Sequence, residues 1–340
     1  GGEGEGRDGE QGELAALLLG EGFRYRLASA VLAHQQSAKP AVLAPADEEE
    51  ARLLCVLDTA LPPPVLALVQ GAFSPQSPFW REHEYSSYPP SPYFSYCHDL
   101  GQSSEGGMDQ LIRLVRSIVA PHFPEVEHAA CAEWWAHCRP HPHGHQLHFD
   151  SDNEGEDGVR NPIVSTVLYL SEGVGGPTLV TTQHLQDTML AARGWLAFPK
   201  LNRLVAFDGS YLHGVVPGRP SGMAGRGSSG QRRVTLMIAF WRHQLRHHPR
   251  PDGRPGACMP VPSPGSASGD GWWAAVPDLP QDTKHAKPRR VGGYPAVSFL
   301  LEHAPKPTPT KSASNATLLE QGSAARIVTL SSSAASAGPR

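Results

Sequence analysis

Residues 141–154, HPHGHQLHFDSDNE, bring several imidazoles and carboxylates together. Within them His148 and Asp150 are two positions apart. In a β-strand, residues i and i+2 point to the same face, so an imidazole nitrogen and a carboxylate oxygen could meet one metal there. A second imidazole on a neighbouring strand would complete a 2-His-1-carboxylate face. That donor set leaves adjacent coordination positions open and suits an Fe(II) that must also take up O2 and a second ligand. His213 is the candidate. It lies in LVAFDGSYLHGVVPG (204–218), an apolar strand and a turn, followed by Val215 and Val216. Some twenty residues later Arg232 and Arg233 open the β-prone run RRVTLMIAFW (232–241). A buried cation is costly unless an anion meets it, so an arginine at this point is a candidate receptor for a carboxylate.

Each of these residues has competitors. An isolated HxD is a weak motif, and a solvated turn can carry the same letters. Asp152 is a second carboxylate; period 2 favours Asp150. Alternation puts Arg233 and Thr235 on one face and Arg232 on the other, and a bulge would exchange them. Arg219 follows His213 more closely, in a loop rich in Gly and Ser. His141, His143 and His145 could suggest a second metal site, but Pro142 and Gly144 break regular geometry. A solvated loop, or residues near a cavity mouth, is the better reading. Trp134, Trp135 and His137 belong to the strand before the HxD, with one face in the core and the other free to line a substrate cleft.

The elements that must hold these side chains follow from periodicity. Ala129–His137, Ile163–Leu170, Thr178–Thr182, Gly194–Phe198, Leu204–Phe207 and Arg233–Trp241 are short, rich in Val, Leu, Thr and aromatics, and separated by turn residues. They predict strands of a barrel or jelly roll over 125–243. Before them, 13–124 reads as a helical support region. Met108, Leu111, Ile112, Leu114, Val115, Ile118 and Val119 recur at helical spacing and end at Pro121. Two short helices are expected over 13–35 and another over 47–60, whose acidic start suits a helix dipole. Ser74 to Tyr96 reads as a long ordered loop. Residues 1–12 are Gly/Glu low complexity, and 244–340 hold 14 of the 33 prolines and long Ser/Ala stretches, so both ends are expected to be mostly disordered. Trp272-Trp273 and Val297–Leu301 are expected to dock on the core.

Composition excludes several classes. The chain has 340 residues with 35 Gly and 33 Pro, so it is loop-rich. No apolar run is long enough to span a bilayer. Five cysteines without a CxxC are too few for a disulfide scaffold or a zinc ribbon. The net charge of −4 offers no global attraction to nucleic acid. A soluble, intracellular protein is expected; the first residue is Gly, which leaves a fragment or a processed chain open.

Taken together, LHFDSD (147–152), STVLYLSEGVGGPTLV (165–180), GWLAFPKLNRLVAFDGSYLHGVVPG (194–218) and RRVTLMIAFW (232–241) resemble the Fe(II)- and 2-oxoglutarate-dependent dioxygenases, most closely their prolyl-hydroxylase-like branch. The resemblance implies a mainly β fold, a double-stranded β-helix jelly roll with N-terminal helices packed outside. It implies that His148, Asp150 and His213 bind iron, that Arg233 pairs with the distal carboxylate of 2-oxoglutarate, and that Tyr169 hydrogen-bonds it, with Thr235, Arg232 and more weakly Thr178 close by. Cofactors would be Fe(II), 2-oxoglutarate and O2, with ascorbate as a possible reductant. The reaction would convert 2-oxoglutarate to succinate and CO2 while hydroxylating a C–H bond. The spacing from His213 to Arg233 is about twice the family's usual one; the excess is GRPSGMAGRGSSG (218–230), a tolerable surface insertion.

A protein side chain such as proline is the leading substrate, and a small molecule is next. The nucleic-acid demethylases share the look of LHFDSD and Pro162–Ser165, but Thr235 and Ala239 stand where they expect Asn and Arg, so nucleic acid is disfavoured. Rivals of another class are a non-catalytic barrel that binds partners through its tail and a zinc-binding barrel.

Overall fold

A computed structural model describes residues 25–27, 53–86, 91–102, 106–152, 159–187, 191, 194–218, 230–261, 279, 288–291, 294–296 and 301–303. Its strands are β1 (Tyr25–Leu27), β2 (Leu54–Asp58), β3 (Tyr96–Asp99), β4 (Cys131–Pro140), β5 (His145–His148), β6 (Val164–Tyr169), β7 (Thr178–Thr181) and β8 (Gly194–Ala197). They continue with β9 (Leu204–Asp208), β10 (His213–Val215), β11 (Arg232–Trp241), β12 (Met259–Pro260), β13 (Arg289–Val291), β14 (Tyr294–Ala296) and β15 (Leu301–His303). The helices are α1 (Pro63–Ala72), α2 (Pro78–Glu82) and α3 (Gly107–Val119), with a 3-10 turn at Pro124–His128.

The fold is mainly β and consistent with a jelly roll. One sheet has eight strands in the order β12-β3-β4-β11-β6-β9-β2-β13, the other five in the order β14-β8-β7-β10-β5. From β4 to β11 the chain passes repeatedly between them: β4, β6, β9 and β11 lie in the larger sheet and β5, β7, β8 and β10 in the smaller. The organiser is β11, which pairs along its length with β4 and on its other side with β6. Its alternation separates two cores. Leu236, Ile238 and Phe240 face outward onto α1 and α3, while Met237, Ala239 and Trp241 face inward with Trp195, Val180 and Val205.

Helix α3 matches the periodicity closely. Leu111, Ile112, Val115 and Val119 are fully buried, and Arg113 Nε donates to Asp109 Oδ2 at 2.7 Å one turn earlier.

Four expectations need correction. Over 54–58 the expected 47–60 helix is replaced by strand β2, antiparallel to β9 and buried throughout; 47–52 lie outside the described residues. The run Leu54–Leu57 is apolar on both faces, as in a strand covered on two sides, and pairing with β9 outweighs helix propensity. The expected loop at 74–96 contains α2, started by Pro78 in its first turn and by Ser77 Oγ accepting from the Phe79 amide at 3.2 Å. A tail boundary at 243 cuts through the fold, because Leu245, Ala257 and Cys258 are buried in the inner core and β12 extends the larger sheet beside β3. Within 13–35 the described residues form β1, which pairs with β15, not a helix. The low-complexity segment 1–12 and Trp272-Trp273 lie outside the described residues. Of Val297–Leu301 only Leu301 is described, as the first residue of β15. No described helix is long and apolar enough to cross a membrane.

Candidate metal and co-substrate site

The antiparallel pairing of β5 with β10 sets His148 and His213 opposite one another. Their rings lie 4.4 Å apart between centroids. Asp150 follows two residues after His148 and closes the triangle. Its Oδ1 is 3.5 Å from His148 Nε2 and 3.6 Å from His213 Nε2. One donor atom from each residue lies within 4.8 Å of the others. Among the described residues no other group of three His, Cys, Asp or Glu is so arranged.

The backbone aims both imidazoles. His148 Nδ1 donates to the Gln146 carbonyl at 2.8 Å, and His213 Nδ1 donates to the Tyr211 carbonyl at 2.9 Å. Each Nε2 is thereby the free lone pair and faces the triangle, as second-shell hydrogen bonds do in metal sites. The strand ends at His148, so period 2 alone does not place Asp150. Ser165 Oγ does so, donating to Asp150 Oδ2 at 2.7 Å, while Asn161 Nδ2 holds the Asp150 carbonyl at 2.6 Å.

The protonation states also suit a cation. Burial would raise the Asp150 pKa, but His213, His148 and the Ser165 hydroxyl outweigh it and bring it down to about 2. Burial pushes His213 down to about 4 despite the attraction of Asp150. At neutral pH the site therefore holds an ionised carboxylate and a neutral imidazole, the forms that ligate metals.

On the same interior face, Arg233 is buried at 3% exposure while its neighbour Arg232 is exposed. Arg233 Nη2 donates to Thr178 Oγ1 at 3.1 Å, and its guanidinium lies 5.1 Å from the centre of the Tyr169 ring. Among the described residues no carboxylate pairs with it. Its Nε, and Thr235 Oγ1, are buried without a hydrogen-bond partner. Tyr169 Oη lies 2.6 Å from Thr178 Oγ1 and donates to the Ala197 carbonyl at 2.9 Å. Thr235 stands opposite Tyr169 across β6–β11. A buried cation beside orphaned donors is the kind of cradle a carboxylate fills. The wall is close: a Cβ on Gly175, whose φ is +86°, would lie 2.4 Å from Arg233 Cδ.

The structure thus brings together His148, Asp150 and His213 in one cluster, and Arg233, Tyr169, Thr178 and Thr235 in another. Arg232 stays outside both. Asp152 is taken by Arg160 Nη2 and His243 Nε2, each at 2.9 Å from its Oδ2. His141 Nδ1 accepts from the Gly175 amide at 2.9 Å, and His143 is half-buried. Arg219 lies outside the described residues. Sequence reasoning underweighted Thr178 and missed Ser165 and Asn161, whose polar letters in and beside a strand carry no signal until the partner is known.

No family model matches the chain, and no curated protein matches it. Solved structures similar to it include prolyl hydroxylases and a member of the 2-oxoglutarate- and Fe(II)-dependent oxygenase family. A prolyl-4-hydroxylase from Pseudomonas putida is 20% identical over 56% of this chain and 92% of its own, with a TM-score of 0.37. A viral collagen prolyl hydroxylase from Paramecium bursaria Chlorella virus-1, in complex with 2-oxoglutarate, is 12% identical over 55% of this chain and 94% of its own, at 0.32. EvdO2 from Micromonospora carbonacea, also with 2-oxoglutarate, is 13% identical over 63% and 98%, at 0.39.

Proposed function

We propose that this chain is an Fe(II)- and 2-oxoglutarate-dependent dioxygenase whose two sheets form a double-stranded β-helix. Its substrate is a C–H bond of a protein side chain such as proline. The observation that carries the reading is the convergence of His148, Asp150 and His213 on one point, with the buried guanidinium of Arg233, which meets no carboxylate among the described residues, inside the same pair of sheets.

The residues fit the cofactors. Two imidazoles and one carboxylate would hold Fe(II) and leave positions for further ligands. When bound, the iron and 2-oxoglutarate would supply the oxidising chemistry. The chain's part is placement. Gln146 and Tyr211 orient the imidazoles through their carbonyls, and Ser165 turns the Asp150 carboxylate. Arg233 offers a planar fork to the distal carboxylate of 2-oxoglutarate, with the hydroxyls of Thr178, Thr235 and Tyr169 around it. Val180, Trp195, Val205 and Met237 line the inner core and keep water from it.

The test is direct. The Fe(II)-loaded protein should bind 2-oxoglutarate and release succinate under O2, slowly even without substrate. Release that persists without added iron, or no binding of 2-oxoglutarate, would sink the reading.

A further inference from the structure

On the side of β4 away from β11, strand β3 covers only Cys131 to Trp134. Among the described residues no strand lies beside the second half of β4, and β5 is the last strand of its own sheet. The space between the sheets is therefore bordered here by two strand edges. Tyr85, His137, Arg139 and His145 line it, each half-buried. Tyr85 Oη lies 3.3 Å from His137 Nδ1 and accepts from the Cys138 amide at 3.2 Å. Ring centroids step inward from His137 to His145 at 5.4 Å and from His145 to His148 at 4.8 Å. A file of rings thus leads from this edge to the metal triad.

Arg139 is the cation of this edge. It is the register partner of Arg233, so both side chains start on the interior face. They then part. Arg233 reaches Thr178 on β7, whereas Arg139 Nη1 donates to the Gly144 carbonyl just before β5, at 2.9 Å. Strand β10 lies between β7 and β5, so the two guanidiniums serve different places. Burial, followed by Arg139, lowers the pKa of His137 well below the ordinary range.

We propose that this edge is the substrate entrance, and that Arg139 anchors an anionic group of the substrate, a carboxylate or a phosphate, with His137 and His145 beside it. This rests on the oxygenase reading. His145 precedes the ligand His148 by three strand residues, so the anion would lie on the order of 10 Å from the oxidised carbon. A guanidinium suits the task because its fork can hold two oxygens at once.

The test uses the full chain, loaded with Zn(II) as a redox-inert metal and saturated with 2-oxoglutarate. Acetate and methyl phosphate are titrated in turn, and the ring signals of 15N-labelled His137 and His145 are followed. A saturable shift is expected, and the better probe identifies carboxylate or phosphate. In Arg139→Gln the dissociation constant should rise at least about tenfold; in Arg232→Gln it should not change. Absence of a saturable shift in the unmodified chain overturns the inference whether or not a variant folds. Unaltered affinity in Arg139→Gln, or equal weakening in Arg232→Gln, does so as well. Failure of 2-oxoglutarate to bind would instead remove the oxygenase reading itself. Binding of 2-oxoglutarate without response to either probe removes the anchor alone.

Discussion

His213 stands directly across from His148 in the β5–β10 pair, and the register of that pair creates the candidate metal site. Cross-strand neighbours sit about 5 Å apart between Cβ atoms, close enough for two imidazoles to share one ion. Asp150 then needs a partner outside the pair, and Ser165 on β6 supplies it. His148→Ala or His213→Ala should abolish measurable iron binding in equilibrium dialysis, with far-UV circular dichroism unchanged. Ser165→Ala removes no ligand and should weaken iron by about 10–100-fold, the usual effect of losing an outer-shell hydrogen bond. Full iron affinity in His148→Ala would show that the ligand assignment is wrong.

The two arginines at the start of β11 separate the register cleanly. Arg233→Ala should raise the dissociation constant for 2-oxoglutarate by roughly 10–100-fold, the worth of a charge-assisted contact. Arg232→Ala should change it less than about twofold, because that side chain is exposed. Calorimetric titration of both variants decides the matter, and a larger loss in Arg232→Ala would contradict the assignment.

Gly175 offers a subtler test of the same pocket. Its φ of +86° disfavours any side chain, and a methyl there would press on Arg233 Cδ. Gly175→Ala should lower stability by about 1 kcal/mol or more from backbone strain and should weaken 2-oxoglutarate while iron affinity is kept. Unaltered 2-oxoglutarate affinity would mean that Arg233 can shift without consequence.

Acid should destabilise the metal-free protein in a defined window. Burial pushes His83, His98 and His213 each down to about 4 from an ordinary 6.5. Between those values the unfolded chain takes up protons that the folded chain refuses, so stability falls as pH drops from about 6.5 towards 4. His137 and His145, held well below the ordinary range, add to the same uptake, so denaturant melts should show a net uptake of protons on unfolding that is largest midway between the two values. A flat profile would mean that these imidazoles are not desolvated.

Truncating α3 at its centre measures the outer core. Leu111 is completely buried, and Leu111→Ala should cost about 2–5 kcal/mol. Iron affinity, set on the other side of the larger sheet, should be retained in whatever fraction stays folded.

Much of this arrangement was legible in the sequence, and its gaps have physical causes. Helix α3 showed because its apolar residues repeat with the period of one buried face, and strands β4, β6, β9 and β11 because they are short runs rich in Val, Leu, Thr and aromatics bounded by turn residues. Strand β2 did not, since LCVLD follows an acidic run and suits helix and strand alike. Arg233 could be chosen over Arg232 because alternation survives along an unbulged strand. Asp150 was chosen by a period that stops at His148, and what holds it is a hydroxyl on β6. Thr178 became visible only when β7 was laid against Tyr169 and Arg233.

Asp152 and Arg160 are joined by their backbones in an isolated bridge and by a 2.9 Å ion pair, and His243 ties the same carboxylate to the segment after β11. This clasp sits two residues beyond Asp150. Whatever the chain does between 152 and 160 starts and finishes at a fixed point, so insertions or deletions there need not disturb the triad. A change of length between these two anchors would leave Ser165, Asn161 and the Asp150 carboxylate they hold where they are.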